Sequence, residues 1–230
     1  MALYALGDLH LSHSADKPMD VFGGKWQNYM VKLKKGLSVL TDDDTIVLCG
    51  DMSWAMGIDD ALEDFRYIDS LPGKKIILKG NHDYWWNTAT KIRKFFDQNE
   101  IKTIEILHNN CFVYENIGIC GTRGWFFEEN VHGGEHDKKI MNREIGRLAA
   151  SLEAAKDCDE KVVFLHYPPR FNNFICREIV SLLEMHNVKH CYYGHLHGEG
   201  HKYAVTGEVE GINYHMVSAD FVDFHPVKVR

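Results

Sequence analysis

Seven residues at the ends of five apolar runs have the types and spacing of a metal centre. Asp8 and His10 stand in Gly7-Asp8-Leu9-His10, Asp51 follows Gly50, and Asn81 follows Gly80. His166 ends the run Lys161–Leu165, and His195 and His197 stand in Gly194-His195-Leu196-His197. Carboxylate, imidazole and amide oxygen are ligands for a hard-to-borderline cation. Asp8 and His10 can grip one ion while Asn81, His166 and His195 grip a second, and His197 can return to the first. Asp51 has two oxygens and can bridge them. A bridged pair about 3.5–4 Å apart activates a nucleophile and holds both oxygens of a transferring phosphoryl group. Asn81 suits this scheme because a neutral oxygen holds an ion without adding negative charge. Each block alone is weak: Asp after Gly is common in turns, Asn81-His82-Asp83 can cap a helix, and His166 can be a satisfied core histidine. The set together is specific.

Such residues need strands to deliver them to one edge, where open α/β sheets place their chemistry. Thr45–Asp51 is the central example, a short apolar run that a glycine turns sharply at its end. Leu3–Leu6, Ile76–Lys79, Lys161–Leu165 and Val188–Tyr193 read as further strands. Trp26, Met30, Leu33, Leu37 and Leu40 repeat at helical steps, with Lys32, Lys34 and Lys35 turned outward. Ala61, Leu62, Phe65 and Ile68 mark a second helix that Pro72-Gly73 ends, and Thr88–Phe96 a third. The alternation predicts a largely parallel sheet covered by helices. Thr103–Leu107, Cys111–Tyr114 and Ile117–Cys120 are short and turn-separated, which predicts antiparallel sheet. A helix with Met141, Ile145, Leu148 and Leu152 on one face follows, then a helix over Phe174–Met185 and strands near Ile212–Val217 and Phe221–Val227. With no repeat or linker, the expectation is one α/β domain over 1–230, with two packed sheets and outer helices.

The formal net charge of −7 argues against an extended nucleic-acid surface and suits acidic ligands offset by bound cations. None of the six cysteines forms a Cys-x-x-Cys pair, so core thiols in a reducing cytoplasm are expected. The apolar N-terminus lacks a basic leader and is interrupted by Asp8 and His10, so it does not read as a signal peptide. No run approaches transmembrane length. A cytoplasmic protein without membrane contact is the expectation.

In order, the blocks Gly-Asp-x-His, Gly-Asp, Gly-Asn-His-Asp, a lone His and Gly-His-x-His make the chain resemble the calcineurin-like metallophosphoesterases, from Asp8 to His197. The resemblance implies a four-layer sandwich of two mixed β-sheets between helices. It implies two Mn, Fe or Zn ions held at one position by Asp8, His10, Asp51 and His197. Asp51, Asn81, His166 and His195 would hold the other. Phe22-Gly23, Asp83-Tyr84-Trp85-Trp86 and Gly121-Thr122-Arg123-Gly124-Trp125 are similar to a small bacterial branch of predicted phosphohydrolases. Many members carry an acid three positions after the bridging Asp, where it orients a catalytic histidine; here that position is Trp54. Asp83, Asp59, Asp64 or a backbone carbonyl are the candidates to replace it. His82, directly after Asn81, is the candidate general acid, and Arg123 the candidate clamp on phosphate oxygens. Arg123 has a plainer reading as a cation paired with a nearby acid. Trp54, Trp85, Trp86 and Trp125 can wall a pocket or pack a core. His132 and His136, with Glu128 and Glu129, can form a lid or an accessory site, though solvated loop residues are the simpler reading.

The expected reaction is hydrolysis of a phosphoester by metal-activated hydroxide, with inorganic phosphate as product or inhibitor. The paired final histidines are more like diesterase members, which points to a small phosphodiester or nucleotide. The alternatives are a phosphomonoester, including a phosphoprotein, and a scaffold with a degraded metal site. The complete ligand set argues against the scaffold.

Overall fold

The computed structural model describes residues 1–125 and 134–230. Four short strands, β1 (Leu3–Leu6), β2 (Thr45–Leu48), β3 (Lys74–Ile77) and β4 (Ile104–Ile106), run parallel in one sheet. β13 (Val227–Lys228) closes its β1 edge antiparallel. A second mixed sheet has the order β11 (Gly207–Val209), β12 (Ile212–Met216), β10 (His190–Tyr193), β7 (Glu160–Leu165), β6 (Ile117–Thr122) and β5 (Phe112–Tyr114). Its four central strands are parallel and its two edges antiparallel. β8 (Arg170–Phe171) and β9 (Phe174–Ile175) form a small third sheet.

The period of two along each strand divides its side chains between two cores. Leu3, Ala5 and Val47 pack with Ile119, Val162 and Phe164 in a cluster between the sheets. The alternate residues Leu6, Ile46 and Leu48 face α1 (Tyr29–Leu37), α2 (Leu62–Ser70) and α3 (Ala89–Gln98), through Leu33, Phe65 and Phe96 among others. On the far side, Val163 and Leu165 meet α4 (Glu135–Ala154) and α5 (Arg177–Met185) through Leu148, Leu152, Ile179 and Leu183. Two mixed sheets flanked by helices agree with the sandwich that the resemblance implies, with the small third sheet in addition. Each fully buried aliphatic or aromatic side chain contributes roughly 1.5–3 kcal/mol, so the three clusters form a rigid platform beneath the strand ends.

Several elements differ from expectation. Ile104–Ile106 pairs parallel with β3 and so extends the first sheet; only Phe112–Tyr114 and Ile117 onward form an antiparallel pair. Phe174 belongs to the small sheet and α5 begins at Arg177, because the hairpin of β8 and β9 takes in the expected helix start. Phe221–Val227 is mostly turn, with left-handed Asp223 and Phe224, and only Val227–Lys228 pairs. Trp26 sits in a 3-10 turn ahead of α1. Glu128, Glu129 and His132 lie outside the described residues, while His136 is exposed in the first turn of α4. Among the described residues, no helix is long and apolar enough to cross a membrane.

A candidate dinuclear metal centre

The C-terminal ends of β1, β2, β3, β7, β10 and β12 converge on one edge, where backbone bonds lock the loops together. Gly7 N donates to Val217 O at 2.8 Å, Asp8 N to Gly50 O at 2.9 Å, and Gly194 N to His166 O at 3.1 Å. Asp8, His10, Asp51 and His195 all have positive φ, between 47° and 76°. That region costs an L-residue roughly 1–2 kcal/mol, although Asn, Asp and His enter it more readily than most. Four of the seven candidate ligands are thus held in a conformation their surroundings must enforce. Two glycines make room. A Cβ on Gly194 or Gly80 would collide with the carboxylate of Asp8 or Asp51 respectively. Those carboxylates therefore lie directly against backbone.

All seven residues meet. Asp8, His10 and His197 form one group able to hold a cation, and Asp8, Asp51 and His166 a second. Asp8 is common to both. Asp51, the expected bridge, also touches both: its Oδ2 lies 3.8 Å from His10 Nε2 and 3.5 Å from His166 Nε2. Asn81 Oδ1 completes the second group, 2.6 Å from His166 Nε2 and 2.8 Å from His195 Nδ1. Asp8, Asp51 and His166 are buried.

The donor set fits cations. His166 Nδ1 lies 3.0 Å from Cys49 O, and the tautomer that donates there leaves Nε2 bare, facing Asn81 Oδ1 and Asp51 Oδ2. Asp51 Oδ2 is buried without a hydrogen-bond partner among the described residues. On the other side, His10 Nε2 and His197 Nε2 approach to 3.3 Å. Lone pairs crowded together are costly unless a proton or a metal cation shares them.

Electrostatics follow the same logic. Burial opposes ionisation of Asp8, yet His197, His166 and His10 outweigh it and hold the carboxyl below its usual range. Burial and then Asp8 push Asp51 well above its ordinary value. Burial works against charge on His197, but Asp8 and Asp220 more than offset it and raise its pKa to about 10. His10, His166 and His195 are lowered, chiefly by burial, which keeps these imidazoles in the neutral form a metal requires.

No motif in the sequence marks Asp220. Its Oδ1 accepts from His197 Nδ1 at 2.8 Å, and its Oδ2 from Gly198 N at 3.1 Å. An imidazole fixed this way by a carboxylate presents its other nitrogen to a metal. The only available signal was an Asp shortly after the apolar run Ile212–Val217, without the glycine or histidine that marked the other blocks.

His82 leaves the cluster toward solvent while its backbone N donates to Asp51 Oδ1 at 2.7 Å. None of the three candidate acids orients it. Asp83 is buried and accepts from the backbone of Asp51, Met52, Ser53 and Gly80 and from Trp85 Nε1. Asp64 binds His13 and Ser53, and Asp59 is exposed. Instead, His82 Nδ1 lies 3.2 Å from Tyr84 Oη and the ring packs 4.5 Å from Trp54. Burial, then repulsion from His166, lowers its pKa to about 4.

Arg123 has the acid partner of its plainer reading, with Nη2 3.5 Å from Glu144 Oε1 and its guanidinium over Trp125. Its Nε has no partner among the described residues, and its charge still reaches Asp51. Of the four tryptophans singled out, Trp85 is core and Trp54 borders the cleft beside the centre, as does Trp26.

A family model described as calcineurin-like phosphoesterase matches residues 1–199. A search of the curated proteins found no match. Among solved structures, phosphopantetheinyl hydrolase (PptH) from Mycobacterium tuberculosis is similar, with 16% identity, a TM-score of 0.58 and coverage of 99% of this chain and 95% of that one. The protein TT1561 of Thermus thermophilus is similar at 13% identity and a TM-score of 0.51, covering 98% and 96%. At these identities the likeness is one of fold.

Proposed function

This chain belongs to the calcineurin-like phosphoesterase family, and from that membership we propose that it hydrolyses a small phosphodiester or nucleotide at a dinuclear Mn, Fe or Zn centre. Asp8, His10, Asp51 and His197 would hold one ion, and Asp51, Asn81, His166 and His195 the other. The observation that carries the reading is the buried cluster of lone pairs around the partnerless Asp51 Oδ2. When bound there, a metal pair lowers the pKa of water and balances phosphoryl charge.

The protein's own groups do the rest. Asp220 holds His197 in place, and the Gly80–Asp83 turn holds Asp51. His82 stands on the cleft wall, where it can donate a proton to the departing oxygen. A substrate anion would raise its low pKa, the role a carboxylate takes elsewhere in the family. Arg123, with its unpartnered Nε, would swing from its loose contact with Glu144 to bind phosphate oxygens. The six free cysteines support a cytoplasmic setting, and 1–230 acts as one domain.

The test is hydrolysis of bis-p-nitrophenyl phosphate and p-nitrophenyl phosphate across several divalent metals. Metal-dependent turnover favouring the diester is expected. Faster monoester turnover would replace the diesterase reading, and metal binding without turnover of either would remove the catalytic one.

A further inference from the structure

The cleft that opens beside the metal centre has a volume of about 540 Å³, within the usual range for a small-molecule site. His10, His82 and His197 line it, so a group held there lies beside the proposed metal centre. Its walls are Met19, Phe22, Trp26 and Trp54. Phe22, on a 3-10 turn, lines the cleft as a large apolar ring 70% exposed to solvent. Gly23, Gly24 and Gly198 also line the cleft, each with nothing within 4 Å of where a Cβ would stand.

The polar side chains there offer the cleft little free hydrogen-bonding capacity: the ring nitrogens without a hydrogen-bond partner among the described residues, His10 Nδ1, Trp54 Nε1 and His201 Nε2, are buried. Lys25 Nζ donates to Asp223 at 2.9 Å, while Asp220 accepts from His197 and Gly198 and lies 3.1 Å from His201. Trp54 is stacked on His10 at 4.8 Å and has Lys17 Nζ 5.3 Å from its ring centroid. Trp26 meets His10, Tyr29, His197 and Phe224 edge-on. Both rings are packed against neighbouring side chains, which leaves less of them free for stacking a base.

Resting on the hydrolase reading above, we propose that this cleft receives an apolar alkyl or aryl group of the phosphoester and recognises it by burial, with little reading of hydrogen-bonding edges. A wall of this kind rewards each added methylene and tolerates analogues, whereas a hydrogen-bonding pocket rejects them steeply.

The experiment measures binding of inorganic phosphate and of methyl-, butyl-, hexyl- and phenylphosphonate to the metal-loaded enzyme, with the four nucleoside monophosphates alongside. Affinity should rise about fourfold for each methylene buried until the cleft is filled. Phenylphosphonate should bind more tightly than methylphosphonate, and the four nucleotides should differ by less than about threefold. Phe22→Ser should reduce the hexyl-to-methyl ratio. If phosphate and methylphosphonate bind but hexylphosphonate binds no tighter, the cleft assignment is overturned while the hydrolase reading stands. If neither small anion binds the metal-loaded protein, the hydrolase reading itself fails. A tenfold preference for one nucleotide, or a ratio unchanged by Phe22→Ser, would also overturn recognition by burial.

Discussion

Replacing Gly80 by alanine adds one methyl group where the protein has no space. The new Cβ would stand 2.7 Å from Asp51 Cγ, and nearer still to its Oδ1 and backbone nitrogen. Real Cβ atoms essentially never approach below 3.0 Å, so the oxygen must retreat by about 1 Å. The same oxygen accepts from His82 N at 2.7 Å, and that bond breaks as it moves. Overpacking of this sort costs roughly 1–3 kcal/mol, and a lost hydrogen bond to a charged group about 1.5–3 kcal/mol more. The sum, about 2.5–6 kcal/mol, is a large part of the 5–15 kcal/mol that typically holds a domain. Metal sites tolerate ligand displacements of only about 0.2 Å, so Gly80→Ala should also lose bound metal. Gly146→Ala is the control. Gly146 lies exposed within α4 with nothing within 4 Å of its missing Cβ, so alanine there should stabilise by about 0.5–1 kcal/mol. Urea denaturation with elemental analysis reads both effects. A Gly80→Ala protein within about 1 kcal/mol of wild type and with full metal content would refute the close-contact argument.

Asp51→Asn should lower metal occupancy at both positions, whereas His10→Ala should weaken mainly one; a wild-type stoichiometry of one ion or none after exhaustive exchange would sink the two-ion reading. His82→Gln should keep both metals and lose roughly 10²–10⁴-fold in rate on esters of poorly acidic alcohols, with far less loss on nitrophenyl esters. An unchanged dependence of rate on leaving-group pKa would rule the acid role out. Lys75 is buried with Nζ donating to the carbonyls of Asp69, Leu71 and Gly73, and burial lowers its pKa to about 8. Between that value and the ordinary 10.5 the unfolded chain keeps a proton that the folded chain has released. Stability should therefore rise with pH through this window, by up to about 3 kcal/mol. Urea melts at pH 7.5 and 10 should show this rise in wild type and not in Lys75→Met; equal slopes would contradict it.

The seven-residue cluster was legible because its signal is local: a short apolar strand, a turn and a ligand-type side chain lie within a few residues of one another. Backbone geometry at a strand end then decides where the side chain emerges, and the first three helices follow from their own periodicity. Other features depend on partners distant in sequence. Ile104–Ile106 has the same composition whether it joins β3 or a hairpin, and only packing selects the parallel register. Asp220 becomes significant because Gly7 bonds to Val217 and Ala219, bringing the end of β12 to the end of β1 and beneath His197. Trp26 reads as a helix-face residue until the turn before α1 tilts it against His10 and His197. Asp83 was a plausible partner for His82, but its oxygens are occupied by backbone donors that converge only when the β2 and β3 loops meet. Ligand type and strand-end position are properties of a few consecutive residues; the orientation and charge of those ligands depend on contacts made across the folded chain.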